Sequence, residues 1–306
     1  MNVREWALIA FSILAEMSVG AFLVHRVLYV FATRKAGAEE ADRLSDRALL
    51  AIIPVLGLGL IASLFHLGNP LNAYRAVTNL GSSWLSREVL FGVLFAVLGA
   101  IFSVMQWRKV SSIAVRNIIA WIASLVGLAL VYSMSQVYML PTQPAWNTLA
   151  TPISFFTTAC LLGALAMGTA FVINYGYIRL RQPDCADTQC ALMRDALRWI
   201  AVAALIMLGV ELVVTPLSLA YLVSGGAQAA KSVSMLAGSY GILFALRLVL
   251  VFVGAGVFGL FIYQNAMGPG REKVMGGLAY GAFALVLVAE VLGRYLFYVT
   301  QVQITL

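Results

Sequence analysis

Eight apolar runs, each about as long as a bilayer is thick, alternate along this chain with short polar segments. They lie at roughly 6–31, 48–67, 88–107, 117–139, 152–177, 198–222, 241–265 and 275–299. About 20 mainly apolar residues suffice for a helix to cross the hydrocarbon. None of the runs alternates with the period of two that a barrel strand requires. The fold class predicted is therefore all-α: one polytopic membrane bundle spanning residues 1–306, with eight transmembrane helices. Composition agrees, because 62% of the residues are hydrophobic and only 11% are charged. A soluble domain needs about 25% charged residues to build its wet surface. The first run is long, contains Glu16 and lacks a small-residue cleavage site, so it is expected to be kept as a helix.

The formal net charge of +7 is explained by topology. Loops joining helices 1–2, 3–4, 5–6 and 7–8 carry fourteen of the twenty Lys and Arg residues, among them Arg34, Lys35, Arg43, Arg47, Lys109 and Arg116. The other side has Arg4, Arg75, Arg87 and Lys231, while Arg247 and Arg294 fall inside helices. Excess basic residues stay cytoplasmic, which predicts both termini on the periplasmic face of a bacterial inner membrane and leaves no need for nucleic acid as a partner. Cys185 and Cys190 fall in a loop on the cytosolic side and are expected to be reduced.

Ionisable residues inside a membrane are expensive, so each is a functional candidate. His25 and His66 belong to opposite ends of their helices, since His66 lies roughly 27 Å along the second helix at 1.5 Å per residue. This argues against one haem bridged by both, and leaves a haem held by a single histidine open. His25, next to Arg26, reads as an interfacial residue snorkelling toward water. His66 precedes Leu67, Gly68, Asn69 and Pro70, a helix end, and Glu88 opens the third helix on the same side. Two readings stand for this pair. One is a proton-accepting site, suited to an imidazole that titrates near neutrality. The other is structural, with a carboxylate favoured at a helix N-terminus and a histidine capping its own helix.

Arg247, Glu290 and Arg294 fall in the periplasmic half of helices 7 and 8. The last two are spaced i, i+4 with the acid first, the favourable order for a bundle-locking pair. Glu16 and Glu211 lie nearer mid-depth, and the cytoplasmic half looks almost uncharged. Such asymmetry suits a site open to one face better than a path crossing the membrane. Trp84 and Trp146 fall on the outer side, where they fit an interfacial belt or contact with a partner or an isoprenoid headgroup. Phosphate-binding glycine loops, metal-spaced His/Cys clusters and nucleophile elbows are absent from the sequence, and no metal site is expected.

The block from Gly59 through His66 and Leu-Gly-Asn-Pro70, continuing to Ala73, Gly81 and Leu85-Ser-Arg-Glu88, resembles the membrane-anchor subunit of dimethyl sulfoxide reductases, the DmsC family. Trp146 before Thr151-Pro152, Phe155-Phe156, Tyr240-Gly241 with Arg247, and Glu290-Val-Leu-Gly-Arg294 leading to Phe297-Tyr298 extend the likeness over nearly the whole chain. The loops at 32–47 and 178–197 match only loosely.

The resemblance implies a haem-free anchor that oxidises menaquinol near the periplasmic face. His66 and Glu88 match family residues associated with the quinol site, and Arg247, Glu290, Arg294 and Trp84 are expected to help bind the headgroup. Electrons would pass to an iron–sulfur subunit docked with a molybdopterin catalytic subunit, and both cofactors would belong to those partners. An anchor of the polysulfide-reductase type shares these signals. A secondary transporter would show broken helices at matching positions in two halves, and no such pair stands out.

Overall fold

The computed structural model describes residues 3–66, 78–181, 188–265 and 272–304, and no strand occurs among them. Backbone groups in hydrocarbon have no water to bond, so a run of apolar residues closes its own hydrogen bonds as helix. The elements are α1 (Val3–Ala36), α2 (Ala38–His66), α3 (Trp84–Arg108), α4 (Ile113–Val137), α5 (Ala150–Arg181) and α6 (Thr188–Ser224). A short α7 (Ala227–Ala237) follows. Then comes one long crossing, built from α8 (Gly241–Val251), a π-helical segment (Phe252–Phe258) and α9 (Gly259–Asn265). The last helix is α10 (Glu272–Val299). Seven helical stretches among the described residues are long and apolar enough to cross a membrane. α2 adds a further long helix that begins in a charged turn.

Local chemistry sets the ends. Ser83 and Ser112 cap α3 and α4 by accepting hydrogen bonds from the backbone N–H groups of Ser86 and Val115. Gly37 takes a left-handed φ of 91° between α1 and α2, the turn that lets two long helices fold back as a hairpin. Helices overrun the expected spans chiefly where the basic loops lie. α2 starts at Ala38 and α6 at Thr188, well before their apolar runs.

The N-terminal part of α1 and the C-terminal part of α10 share one face, where Trp6 stacks on Tyr295 with ring centroids 5.8 Å apart. This is called the termini face below. α1 runs through the middle of the bundle, packed on α2, α4, α5, α6 and α10. Its tightest approach is to α5 at Gly20 and Gly163. A Cβ at Gly20 would overlap the Ala159 carbonyl, and one at Gly163 would overlap the backbone of Gly20 and Ala21. Small residues permit such backbone contact, and packing of this kind drives helix association in lipid.

At the opposite face, buried polar groups tie α1 to α4 together. Arg116 donates to both carboxylate oxygens of Asp42 at 2.9 Å. Lys109 donates to Asp42 at 2.8 Å, and Gln106 donates to it at 3.1 Å. Burial acts to raise the Asp42 pKa, but the hydrogen bonds from Lys109, Arg116 and Gln106 outweigh it and hold the carboxyl below its ordinary value of 3.8. His25 and Arg26 correct the snorkelling expectation. His25 is buried and shares a 2.8 Å hydrogen bond with Ser45, while Arg26 is only 1% exposed and donates to Asn117. The half of the bundle expected to be nearly uncharged therefore carries a buried polar cluster. Cys190 is disulfide-bonded, where a reduced thiol is expected from the compartment.

Two outcomes follow from this packing. Gly163→Ala pushes α1 from α5 and lowers the thermal midpoint of the purified protein, at a cost of at least the ~1–3 kcal/mol typical of overpacking; an unchanged midpoint would contradict the backbone contact. Asp42 has a depressed folded pKa, so its stabilisation is present above pH 3.8 and is lost as pH falls below it. Asp42→Asn is accordingly less stable than the parent near neutrality, and acid titration of both midpoints shows the gap closing below that value.

Candidate functional site

Charged side chains also enter the bundle from the termini face, and there they meet. Arg294 of α10 is 6% exposed and donates through one nitrogen to both oxygens of Glu16 on α1, at 2.5 and 2.7 Å. Glu16 itself is fully buried. The guanidinium also lies 3.7 Å from the centroid of the Phe155 ring, which supplies a cation–π contact in place of water. One turn earlier on α10, Glu290 accepts a 2.6 Å hydrogen bond from Thr158 of α5. The i, i+4 spacing of Glu290 and Arg294 suggests a pair, but each bonds another helix instead. The structure thus replaces one local ion pair with two ties, from α10 to α1 and from α10 to α5.

Arg247 of α8 donates to Glu211 of α6. Its side chain lies across Gly293, where an added Cβ would collide with the guanidinium. Glu211, Arg247, Glu290 and Arg294 all line one cavity of about 190 Å³ between α5, α6, α8 and α10. Its wall is rich in hydroxyls, including Thr158, Thr215 and Ser218, and α7 covers it with Ser232. The loop before α5 also lines it, and there Trp146 stacks on Phe297 at 5.2 Å and donates to the Phe297 carbonyl at 2.8 Å. The helix covering the cavity, α7, has no counterpart among the expected spans. Its signal is a short amphipathic run, Ala-Gln-Ala-Ala-Lys-Ser, too brief and too polar to register as a crossing.

The other expected residues fall on the far side of Arg294. Glu88 is partly buried in the first turns of α3 and is within electrostatic reach of Glu16, Tyr138 and Tyr298. The two phenols share a 2.6 Å hydrogen bond, which brings the end of α4 against the end of α10. Trp84 packs edge-on against Tyr132 at 5.5 Å, with the Arg87 guanidinium 4.2 Å from its ring. Neither Glu88 nor Trp84 is part of the cavity wall. His66 is the last residue of α2, and its side chain lies outside the described residues, as do Leu67 through Ala73. Sequence reasoning missed the two tyrosines and Thr158 as site residues, because hydroxyls in a helical run look like ordinary packing. Among the described residues, no group of three His, Cys, Asp or Glu side chains is placed to hold a metal ion.

Two polar regions thus adjoin at Arg294: one holding Glu88, Glu16, Tyr138 and Tyr298, the other the cavity. Both are ionisable groups held at membrane depth, the arrangement that marks proton or substrate chemistry.

Comparison with known proteins agrees with this architecture. Residues 1–299 match the family described as DMSO reductase anchor subunit (DmsC). The sequence is similar to the C subunit of the anaerobic dimethyl sulfoxide reductase of Escherichia coli (strain K12), with 30% identity over 96% of this protein and 94% of that one. It is similar also to the corresponding C subunit from Haemophilus influenzae, at 28% identity over 97% of this protein and 95% of that one. Among solved structures, the bd oxidase from Geobacillus thermodenitrificans shares the fold at a TM-score of 0.66. The likeness covers 97% of this protein and 85% of the oxidase polypeptide, and the 13% identity extends it no further than the fold. A helical bundle with seven stretches able to cross a bilayer, matched from end to end by anchor subunits, is a polytopic membrane protein, and it belongs to the DmsC family of dimethyl sulfoxide reductase anchor subunits.

Proposed function

We propose that this protein is the quinol-oxidising anchor of a dimethyl sulfoxide reductase-like complex in a bacterial inner membrane. It crosses the membrane eight times, with α2 as the eighth crossing and both termini periplasmic. Menaquinol enters from lipid near the periplasmic surface. The observation that carries this reading is the convergence of Glu16, Glu88, Tyr138, Tyr298 and Arg294 beneath the termini face. Ionisable groups at membrane depth are expensive and mark functional sites, and a bundle serving only as a tether does not require several of them to converge.

In this reading His66 takes a proton from a quinol hydroxyl, and Glu88 orients it or accepts the second. Proton removal must accompany electron loss, since the oxidised product is a neutral quinone. A positioned base supplies the first step and typically contributes about 10²–10⁴-fold. Tyr138 and Tyr298 offer hydroxyls to the departing carbonyl oxygens. Arg294, held against Glu16, keeps a positive charge beside the site. Two electrons then leave to the iron–sulfur subunit. That subunit is docked on the periplasmic side with the molybdopterin subunit, so the electrons cross only a short distance. The anchor needs no haem for this.

In the assembled complex, His66→Ala and Glu88→Gln each lower quinol-dependent reductase turnover, by about 10²-fold or more for the histidine. Reduction of the same acceptor by an artificial donor to the partner subunits stays at the parent rate. Equal quinol-dependent rates in parent and variants would remove the assignment. Orientation has its own readout: a cysteine at Ser82 reacts with a membrane-impermeant thiol reagent added to the periplasmic side, and one at Ser111 does not. The reverse pattern would invert the topology.

A further inference from the structure

The cavity beside the proposed quinol site holds groups that proton abstraction by His66 and Glu88 does not use. Glu211 is only 7% exposed, and its second carboxylate oxygen is buried with no hydrogen-bond partner. The Nε of Arg247 is likewise buried and unpartnered. Buried polar atoms of this kind are nearly always satisfied, by water when not by protein. The space is large enough for it: about 190 Å³ accommodates several waters at ~30 Å³ each. Each water needs about two to four polar partners, and Thr151, Ser154, Thr215, Ser218 and Ser232 supply hydroxyls along the wall.

The cavity also has two ends of different character. One end is lined by Ala145, Trp146, Thr148 and Thr300, which lie beyond the helix ends on the termini face. Its inner wall is formed by Glu290 and Arg294. Arg294 is bonded to Glu16 on the other side, Glu16 is an electrostatic neighbour of both Glu88 and Glu290, and Glu211 is a neighbour of Glu290. The carboxylates therefore form a series, Glu88, Glu16, Glu290 and Glu211, that runs from the proposed quinol site into the cavity. Arg247 and Arg294 set two positive charges against it.

We propose that this cavity is a hydrated proton exit, with Glu16 and Glu290 as its relay carboxylates. The inference rests on the quinol-oxidising reading. Each quinol gives up two electrons to the partner's iron–sulfur clusters and two protons to this protein. A proton leaving Glu88 is held on the Glu16 carboxylate, passes Arg294 through water to Glu290, and reaches the aqueous phase through the cavity waters. Arg294 and Arg247 keep their charge throughout. They lower the cost of having carboxylates ionised at this depth, so the relay can empty between turnovers. Thr158 positions Glu290 by donating to one of its oxygens.

The test uses the intact complex in membranes, assayed with a water-soluble menaquinol analogue. Three readouts are taken: turnover, its ratio in H₂O and D₂O, and binding of a quinone-analogue inhibitor by fluorescence titration. Glu290→Gln should lower turnover about tenfold or more, as expected for loss of a proton-transfer group. It should raise the solvent isotope effect and leave inhibitor affinity within about twofold, because in the exit reading Glu290 serves the relay and the headgroup sits on the Glu88 side of Arg294. Glu290→Asp should restore most of the rate. Thr158→Val, which keeps side-chain shape, should give a smaller loss of roughly threefold, the size of one neutral hydrogen bond, and decides the matter if Glu290→Gln fails to assemble. Unchanged turnover and isotope effect overturn the exit, and so does a loss of turnover matched by a loss of inhibitor binding. Should His66→Ala and Glu88→Gln also be without effect, the quinol site itself is wrong; should they abolish turnover while the Glu290 and Thr158 variants are normal, only the exit fails.

Discussion

The Glu16–Arg294 pair is the interaction on which the rest of the polar core depends. It joins the central helix α1 to the last helix α10, with both side chains buried. Removing one partner from such a pair leaves a bare charge in a low-dielectric site and typically costs about 3–5 kcal/mol. In a membrane the alternative environment is hydrocarbon, so the two groups have no better place to go. The pair therefore fixes the rotation of α10 about its own axis. With Arg294 turned toward α1 and flanked by Phe155 and Phe297, Glu290 one turn away must face α5 and the cavity. The position of the proposed site follows from that single orientation.

Much of the architecture was legible because lipid imposes simple rules on sequence. The span expected at 241–265 coincides with the α8, π-helical and α9 stretch, since the apolar run is bounded by turn residues at both ends. The π-helical segment within it was not legible. It reflects how Gly254 and Gly256 let α6 and α10 close in on the helix, a tertiary effect without a sequence period. Helix starts such as Ala38 and Thr188 were misplaced for the opposite reason. Outside the hydrocarbon, helix is held by polar contacts such as Lys109 with Asp42 and Gln189 with Glu40, which hydropathy does not register.

The candidate site was half legible. Arg247, Glu290 and Arg294 were found because charge inside an apolar run is conspicuous, and the structure gathers all three around one cavity. Their partners were misjudged, since i, i+4 spacing describes a lone helix and a bundle offers competitors from every side. His25 and Arg26 show the same limit. Their place near the basic face suggested snorkelling, yet Ser45 and Asn117 on neighbouring helices capture them in the interior. At the basic face Asp42 is closed in by Arg116, Lys109 and Gln106, although Arg26 Nε and Gln189 Oε1 there are buried and unpartnered; the unpartnered atoms of Glu211 and Arg247 belong to residues that line the cavity.

In the proposed function quinol is oxidised on the Glu88 side of Arg294, beneath the termini face. A density map of the intact complex with a bound quinone analogue tests it most directly. The headgroup is expected within hydrogen-bond reach, ~2.6–3.2 Å, of His66 or Glu88, with Tyr138 and Tyr298 behind it. A headgroup seated beside His25 and Arg26 at the basic face, or an analogue bound only outside the bundle, would contradict it.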